Sequence, residues 1–289
     1  MPDTKKQQGQ ANMNVLSLFD GMSCGQIALR QLGIVPEVYY ASEIDKYAIA
    51  QTQFNFPHTV QLGDVSQLDV SMLKPIDLLI GGSPCQSFSF AGKRAGMSTL
   101  NKEEIYTLKR YLELKSEGFR FEGESYLFWE YMRILTNIRL YNPNVLFLLE
   151  NVEMGKKWER VLSEAIGIFG VHINSALVSA QNRSRIYWTN IRTKKVGLFG
   201  ELYSGIPQPE DRKIFLRNIV EDKVDKKYHV SERMLGCLKS LAQNGISVPV
   251  HSMPMTIITA WRLSHKSRKI SPRITSAWPC AVGRLALHP

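Results

Sequence analysis

Leu16-Ser17-Leu18-Phe19-Asp20-Gly21-Met22-Ser23-Cys24-Gly25 is the stretch on which the fold turns. An apolar run from Val15 to Phe19 passes into small residues, and a helical pattern follows from Gly25 to Leu32, ended by Gly33. A strand that runs through a glycine turn into a helix opens a strand–helix–strand unit. Gly21 and Gly25 would let the backbone come close to a ligand, and the helix N-terminus favours negative charge there. The spacing is not Gly-x-Gly-x-x-Gly, so a pyrophosphate cradle is not expected.

Working outward, the same rhythm repeats. Glu37–Ser42 reads as a strand, Asp45–Asn55 as a helix, Gln61–Asp64 as a short strand edge and Leu78–Gly82 as another apolar run. Val145–Leu149 is wholly apolar and predicts a strand buried on both faces. Strands alternating with helices predict an α/β fold with a mostly parallel sheet. Residues 1–13 read as a flexible tail. The charged helical stretch Lys102–Gly118 predicts a surface insertion, bounded at 91–122. From about Lys194 the rhythm fades, and Pro207-Gln208-Pro209 marks a boundary. The main domain is therefore expected at 14–193 and a smaller C-terminal region at 194–289.

Composition narrows the classes. In 289 residues, 44% are hydrophobic and 21% charged, which excludes a disordered chain. Apolar runs such as Val145–Leu149 are too short to span a bilayer, and the polar start Met1–Asn14 lacks the apolar core of a secretory signal. A cytoplasmic protein without a membrane partner is expected. Net charge is +10, and no Asp or Glu follows Glu232, whereas Arg262, Lys266, Arg268, Lys269 and Arg273 cluster beyond it. An acidic polymer such as nucleic acid is the natural partner of such a charge, against the plainer alternative of a solvated basic face. The four cysteines, at 24, 85, 237 and 280, form no Cys-x-x-Cys pair, so neither a zinc site nor a disulfide framework is expected. Cys24, Cys237 and Cys280 read as small packing residues.

Chemistry gathers at the predicted strand ends. Glu43 ends the second strand, about twenty residues after the glycine turn, where an acid can bridge ribose hydroxyls. Asp64 ends the third and can accept a hydrogen bond from an adenine amino group. Together they suit an adenosine without phosphates, and S-adenosylmethionine is such a ligand; a helix cap and ordinary turn glycines are the plainer alternative. Cys85 follows the fourth strand in Gly81-Gly82-Ser83-Pro84-Cys85-Gln86, on a turn that Pro84 stiffens. Only a few per cent of an ordinary thiol is thiolate at neutral pH, so a reactive Cys85 needs a cationic or helix-terminal setting. Glu150 ends the apolar run Val145–Leu149, where an unused carboxylate is costly. Arg183 and Arg185 in Gln181-Asn182-Arg183-Ser184-Arg185 are two apart, so an extended backbone would point both to one side.

Ser-Pro-Cys-Gln, Glu-Asn-Val and Gln-x-Arg-x-Arg, in this order after a Phe-Asp-Gly turn, resemble the DNA cytosine-5 methyltransferase family of the phage and bacterial restriction–modification type. The opening is also similar to that of animal de novo methyltransferases, and Gly123–Glu130, with Tyr126-Leu127-Phe128-Trp129, resembles the family's segment before Glu-Asn-Val. The likeness runs from about Asn14 to Asn190. It implies a Rossmann-like, mostly parallel S-adenosylmethionine-dependent methyltransferase domain with a smaller C-terminal recognition region, acting on double-stranded DNA without a metal. It implies Cys85 as the nucleophile on cytosine C6, Glu150 on N3 and the exocyclic amine, Arg185 on the O2 carbonyl and Arg183 in support. It assigns the cofactor to Phe19 against adenine, Asp20, Gly21, Gly25, Glu43, Ile44, Asp64, Val65, Gly82 and Pro84. Lys93 and Arg94 would touch phosphate on a loop closing over a base drawn out of the duplex. A monomer is expected, in a bacterial or phage-infected cell, with a restriction endonuclease of the same system as a candidate partner.

The chain departs from the family after Trp261. The Arg-Leu-Thr-Pro-Glu-like segment and the Gly-Asn-Gly or Gly-Asn-Ser turn are not found there, and Met253–Pro289 is basic and poorly periodic. A truncated, frame-shifted or rearranged end is the expectation. Two rivals stand beside the main reading: a transfer-RNA cytosine-5 methyltransferase, which shares Pro-Cys-Gln and Glu-Asn-Val, and a non-catalytic DNA-binding relative.

Overall fold

The computed structural model describes residues 13–84, 97–198, 200–221 and 231, with the backbone of Ile274–Thr275. The strands are β1 (Asn14–Leu18), β2 (Val38–Ser42), β3 (Val60–Gln61), β4 (Leu78–Gly82), β5 (Ser98–Thr99), β6 (Phe121–Glu122), β7 (Leu146–Val152), β8 (Val171–Asn174), β9 (Gln181–Asn182), β10 (Ser184–Thr189), β11 (Thr193–Val196), β12 (Glu201–Ser204) and β13 (Ile274–Thr275). The helices are α1 (Cys24–Gln31), α2 (Lys46–Asn55), α3 (Leu108–Ser116), α4 (Leu127–Tyr141) and α5 (Lys156–Ile166). The central sheet runs β3-β2-β1-β4-β7-β10-β8, and its pairs from β3 through β7 are all parallel. By contact the described residues divide into two compact units, one of residues 13–172 and Ile186–Ile206, the other of Ile173–Arg185 and the described residues from Pro207 onward. The chain passes between these units more than once, and one passage falls between Ile206 and Pro207.

Period-two alternation sorts the first unit's strands onto two faces. Leu16 and Leu18 of β1, Tyr40 of β2 and Leu79 of β4 join Phe128, Trp129 and Leu135 of α4 and Trp158, Leu162 and Ile166 of α5 in the main core. Val15, Tyr39, Ala41 and Leu78 turn the other way, onto Leu29 of α1. Each fully buried large apolar side chain contributes about 1.5–3 kcal/mol, so the larger layer over α4 and α5 dominates stability.

Local chemistry sets the helix limits. Asp45 Oδ1 accepts the amides of Tyr47 (2.8 Å) and Ala48 (3.0 Å) at the start of α2, and Pro57 follows its end. Thr107 Oγ1 accepts the Arg110 amide at 3.2 Å to open α3. Gly167, at φ 81°, closes α5 in the left-handed conformation that glycine adopts without penalty.

Three expectations need correction. The stretch expected as a surface insertion contributes Met97, Ile105, Tyr111 and Leu114 to the main core, all essentially fully buried. Its charges lie on the outer face of an amphipathic helix, which hid the inner one. β7 is not buried alike on both faces: Phe147 and Leu149 are buried, while Leu146 and Leu148 are only partly covered. Cys24 is exposed at the first position of α1 and does not pack. Cys237 and Cys280 lie outside the described residues.

Candidate active site

The turn after β1 is strained. Phe19, Gly21 and Ser23 have φ of 56°, 60° and 59°, in the left-handed region. For each of the two side-chain-bearing residues this costs on the order of 1–3 kcal/mol, and such strain concentrates at functional sites. Contacts around the turn hold it. The Asp20 amide donates to Ser42 O at 3.3 Å, joining the ends of β1 and β2. The Asp20 carboxylate accepts the Tyr39 hydroxyl at 2.8 Å and the Ser23 hydroxyl. Burial holds this carboxyl above its ordinary range, with hydrogen bonds from Ser17, Ser23 and Tyr39 opposing. Burial also pushes the Tyr39 phenol up, so it stays a donor.

The two glycines of the turn do different things. Gly21 has open space where a Cβ would stand, and only its φ demands glycine. A Cβ on Gly25 would meet Ile80 Cδ1 at 2.3 Å and the Tyr39 hydroxyl at 2.8 Å. Gly25 thus seats α1 against the sheet. Its close approach is to the protein's own side chains.

The ends of β2 and β3 carry the acids. Glu43 Oε1 accepts the amides of Ile44 (2.8 Å) and Asp45 (2.9 Å), and Oε2 accepts the Gly21 amide at 2.8 Å. An ionised carboxylate offers about four acceptor positions, so roughly one remains on Oε2. Ile44 beside it is 76% exposed. Asp64 is exposed and caps the 3-10 turn Val65–Gln67, accepting the Ser66 amide on Oδ1 at 2.8 Å. Val65 is buried in the main core and Phe19 packs partly against it.

At the end of β4 the register places Gly82 opposite Glu150 of β7. A Cβ on Gly82 would stand 2.9 Å from Glu150 Oε2, so the missing side chain is what leaves room for that carboxylate. The next pair is clamped: Asn151 Nδ2 donates to Ser83 Oγ at 2.9 Å and to Ser83 O at 3.3 Å. Asn151 Oδ1 accepts the Val152 amide at 2.8 Å, and the residue is buried. Pro84 is half-buried. Cys85, Lys93 and Arg94 lie outside the described residues.

Arg183 and Arg185 belong to the second unit. The Arg183 amide donates to Asn174 Oδ1 at 3.1 Å. Arg185 is buried, and its Nη1 donates to Ser184 O at 2.7 Å. Sequence reasoning quoted Glu-Asn-Val but gave Asn151 no role. It also passed over Glu130, whose only signal was a charge amid the apolar residues of α4.

A mostly parallel sheet with helices on both faces, and with acids, a strained turn and glycines at the C-terminal ends of its strands, defines a doubly wound α/β protein, a class in which ligands generally bind at that edge. Residues 13–273 match the model of the C-5 cytosine-specific DNA methylases, and the chain belongs to that family, whose members depend on S-adenosylmethionine. It is similar to the orphan methyltransferase M.Rho11sI of Bacillus phage rho11s, 31% identical over 258 residues, covering 77% of this chain and 46% of that protein. It is also similar to the orphan methyltransferase M.SPRI of Bacillus phage SPR, at 35% over 192 residues, 62% of this chain and 38% of that one. The type II methyltransferase M1.ScrFI of Lactococcus lactis subsp. cremoris is 29% identical over 239 residues, 78% of this chain and 52% of that one. The chain thus spans about half the length of these relatives or less.

Proposed function

We propose that this chain transfers a methyl group from S-adenosylmethionine to C5 of cytosine in double-stranded DNA. The observation that carries the reading is the Glu150 carboxylate standing over Gly82, on the strand pair that leads through Ser83 and Pro84 to Cys85. The residues suit the cofactor. Glu43 and Asp64, both acids, would repel a phosphate but favour a cationic sulfonium, and each has carboxylate acceptor positions left for an adenosine. By family resemblance, Phe19 would pack against adenine and Ile44, Val65, Gly82 and Pro84 would line the same pocket, while Asp20, Gly21 and Gly25 shape the turn after β1.

When bound, the cofactor supplies an electrophilic methyl group. The chain's own residues must activate a poor nucleophile. The Cys85 thiolate forms a bond to C6, which makes C5 enamine-like while Glu150 holds N3 and the exocyclic amine. C5 takes the methyl group, leaving S-adenosylhomocysteine; the C5 proton then passes to water while its electron pair re-forms the C5–C6 double bond and the Cys85–C6 bond breaks, returning the Cys85 thiolate. Arg185 at the O2 carbonyl, with Arg183 in support, is assigned by family resemblance. No described helix is long and apolar enough to cross a membrane. A monomer in the bacterial or phage-infected cytoplasm completes the reading. The relatives include orphan and type II enzymes alike, so a restriction partner stays a candidate.

Tritiated S-adenosylmethionine incubated with duplex DNA, or with transfer RNA, tests the reading. Label should enter DNA, and Cys85→Ser should abolish it together with the covalent adduct on 5-fluorocytosine DNA, because an alcohol is almost wholly un-ionised at neutral pH. Label confined to transfer RNA moves the substrate. An adduct equally strong in the serine variant removes Cys85 from its role.

A further inference from the structure

We propose that Lys115 and Arg133, held on the buried carboxylate of Glu130, are positioning residues that set the Asp64 turn for recognition of the adenine amino group. The inference rests on the assignment of Asp64 to adenine. Glu130 is 0% exposed and sits in the first turn of α4. It accepts the Tyr111 hydroxyl at 2.5 Å, Lys115 Nζ at 2.5 Å and Arg133 Nε at 2.6 Å. A buried carboxylate left without partners would be strongly destabilising, and this one has three.

Both cations also reach past Glu130 to one place. Lys115 Nζ donates to Ser66 O at 3.1 Å, Arg133 Nη2 to Val65 O at 3.0 Å and Arg133 Nη1 to Leu68 O at 3.1 Å. Two carbonyls of the 3-10 turn that Asp64 caps, and that of Leu68 just after it, are thereby fixed from behind. Asp64 in turn holds the turn's Ser66 amide. Two cations on one anion leave a charge of +2 − 1 = +1 in the cluster, directed at backbone oxygens. A core tie between α3 and α4 needs the Glu130 contacts alone. The three bonds to the turn serve the loop that carries Asp64, and a hydrogen-bonding site discriminates only when its groups are held in place.

Calorimetry without DNA tests this with two probes: S-adenosylhomocysteine, and its analogue bearing hypoxanthine, whose ring carries a carbonyl where adenine has the amino group. Wild type should bind the adenine compound more tightly, by on the order of tenfold, the worth of a hydrogen bond to a charged group. Asp64→Asn should lose that preference. Lys115→Met should lose most of it as well, by weaker binding of the adenine compound with hypoxanthine binding little changed, and Lys115→Arg should restore it. In turnover, Lys115→Met should raise KM for S-adenosylmethionine more than it lowers kcat. Lys115 is 34% exposed, so its removal leaves a site that water can reach. If the methionine variant has no cooperative thermal transition, Lys115→Gln is judged by the same criterion. A preference lost in Asp64→Asn but kept in the Lys115 variant overturns the proposal and leaves the Asp64 reading standing. Equal weakening toward both probes also overturns it, showing a purely structural tie. No preference in wild type removes the Asp64 reading, and the proposal with it.

Discussion

Three glycines show how one residue type serves three purposes. At Gly82 a new Cβ would press on the far end of a side chain, Glu150 Oε2 at 2.9 Å, rather than on backbone. Gly82→Ala should therefore cost little stability, less than about 1 kcal/mol, yet move the carboxylate proposed to hold the cytosine. Activity should fall at least about tenfold; unimpaired transfer would show that Glu150 does not act from this position. At Gly25 the obstacle is packed protein, so Gly25→Ala should cost about 1–3 kcal/mol by overpacking, read from urea unfolding. At Gly21 space is open and only the left-handed backbone objects, at about 1–2 kcal/mol for alanine. Asp20 adds a pH signature. Its folded value is raised above 3.8, so the stability it contributes is complete below that value and is lost as pH rises through the folded one. Asp20→Asn should then gain on wild type as pH goes from acidic to neutral; a pH-independent difference would sink this account.

At the scale of elements, α3 is the test case. A surface insertion would tolerate truncation, but Leu114 is fully buried in the main core. Leu114→Ala should cost about 2–5 kcal/mol in denaturant unfolding, with Leu112→Ala, on the exposed side, near zero. The clamp between β7 and the end of β4 makes a second element-scale prediction. Asn151→Ala strands the buried Ser83 hydroxyl and the Val152 amide, at about 1–3 kcal/mol per unsatisfied group. It should also loosen the segment leading to Cys85, so the yield of the 5-fluorocytosine adduct should fall; an unchanged yield confines Asn151 to stability.

For the whole molecule, charge is the property that sequence reports without folding. Lys266, Arg268 and Lys269 lie outside the described residues, and the expectation for them rests on composition. Each phosphate they neutralise adds about −0.9 to the log–log salt dependence of DNA binding. Replacing all three by alanine should flatten that slope by up to about 3, equally for every DNA sequence. An unchanged slope assigns the charge excess to a solvated face. The fold was legible by similar local means. Strand-length runs, each ending at a glycine or an acid, mark both the strands and one edge of the sheet, so Glu43, Asp64 and Glu150 could be picked from their place at the ends of such runs, whereas Phe19 came from the family resemblance. The ordered Pro-Cys-Gln, Glu-Asn-Val and Gln-x-Arg-x-Arg elements identified the family because reacting groups must keep fixed types in fixed order. Tertiary structure alone decided the rest. Gly82 meets Glu150 across 68 residues through the register of two parallel strands, which no local pattern encodes. Gly25 looks like a ligand-facing glycine until the sheet is seen to fill its space. The buried face of α3 was masked by its own outer charges, and Glu130 looked misplaced until Tyr111, Lys115 and Arg133 were brought to it. Periodicity and residue type are local and can be read along the chain, whereas packing partners and strand register are set by long-range burial and exist only once the chain has closed on itself.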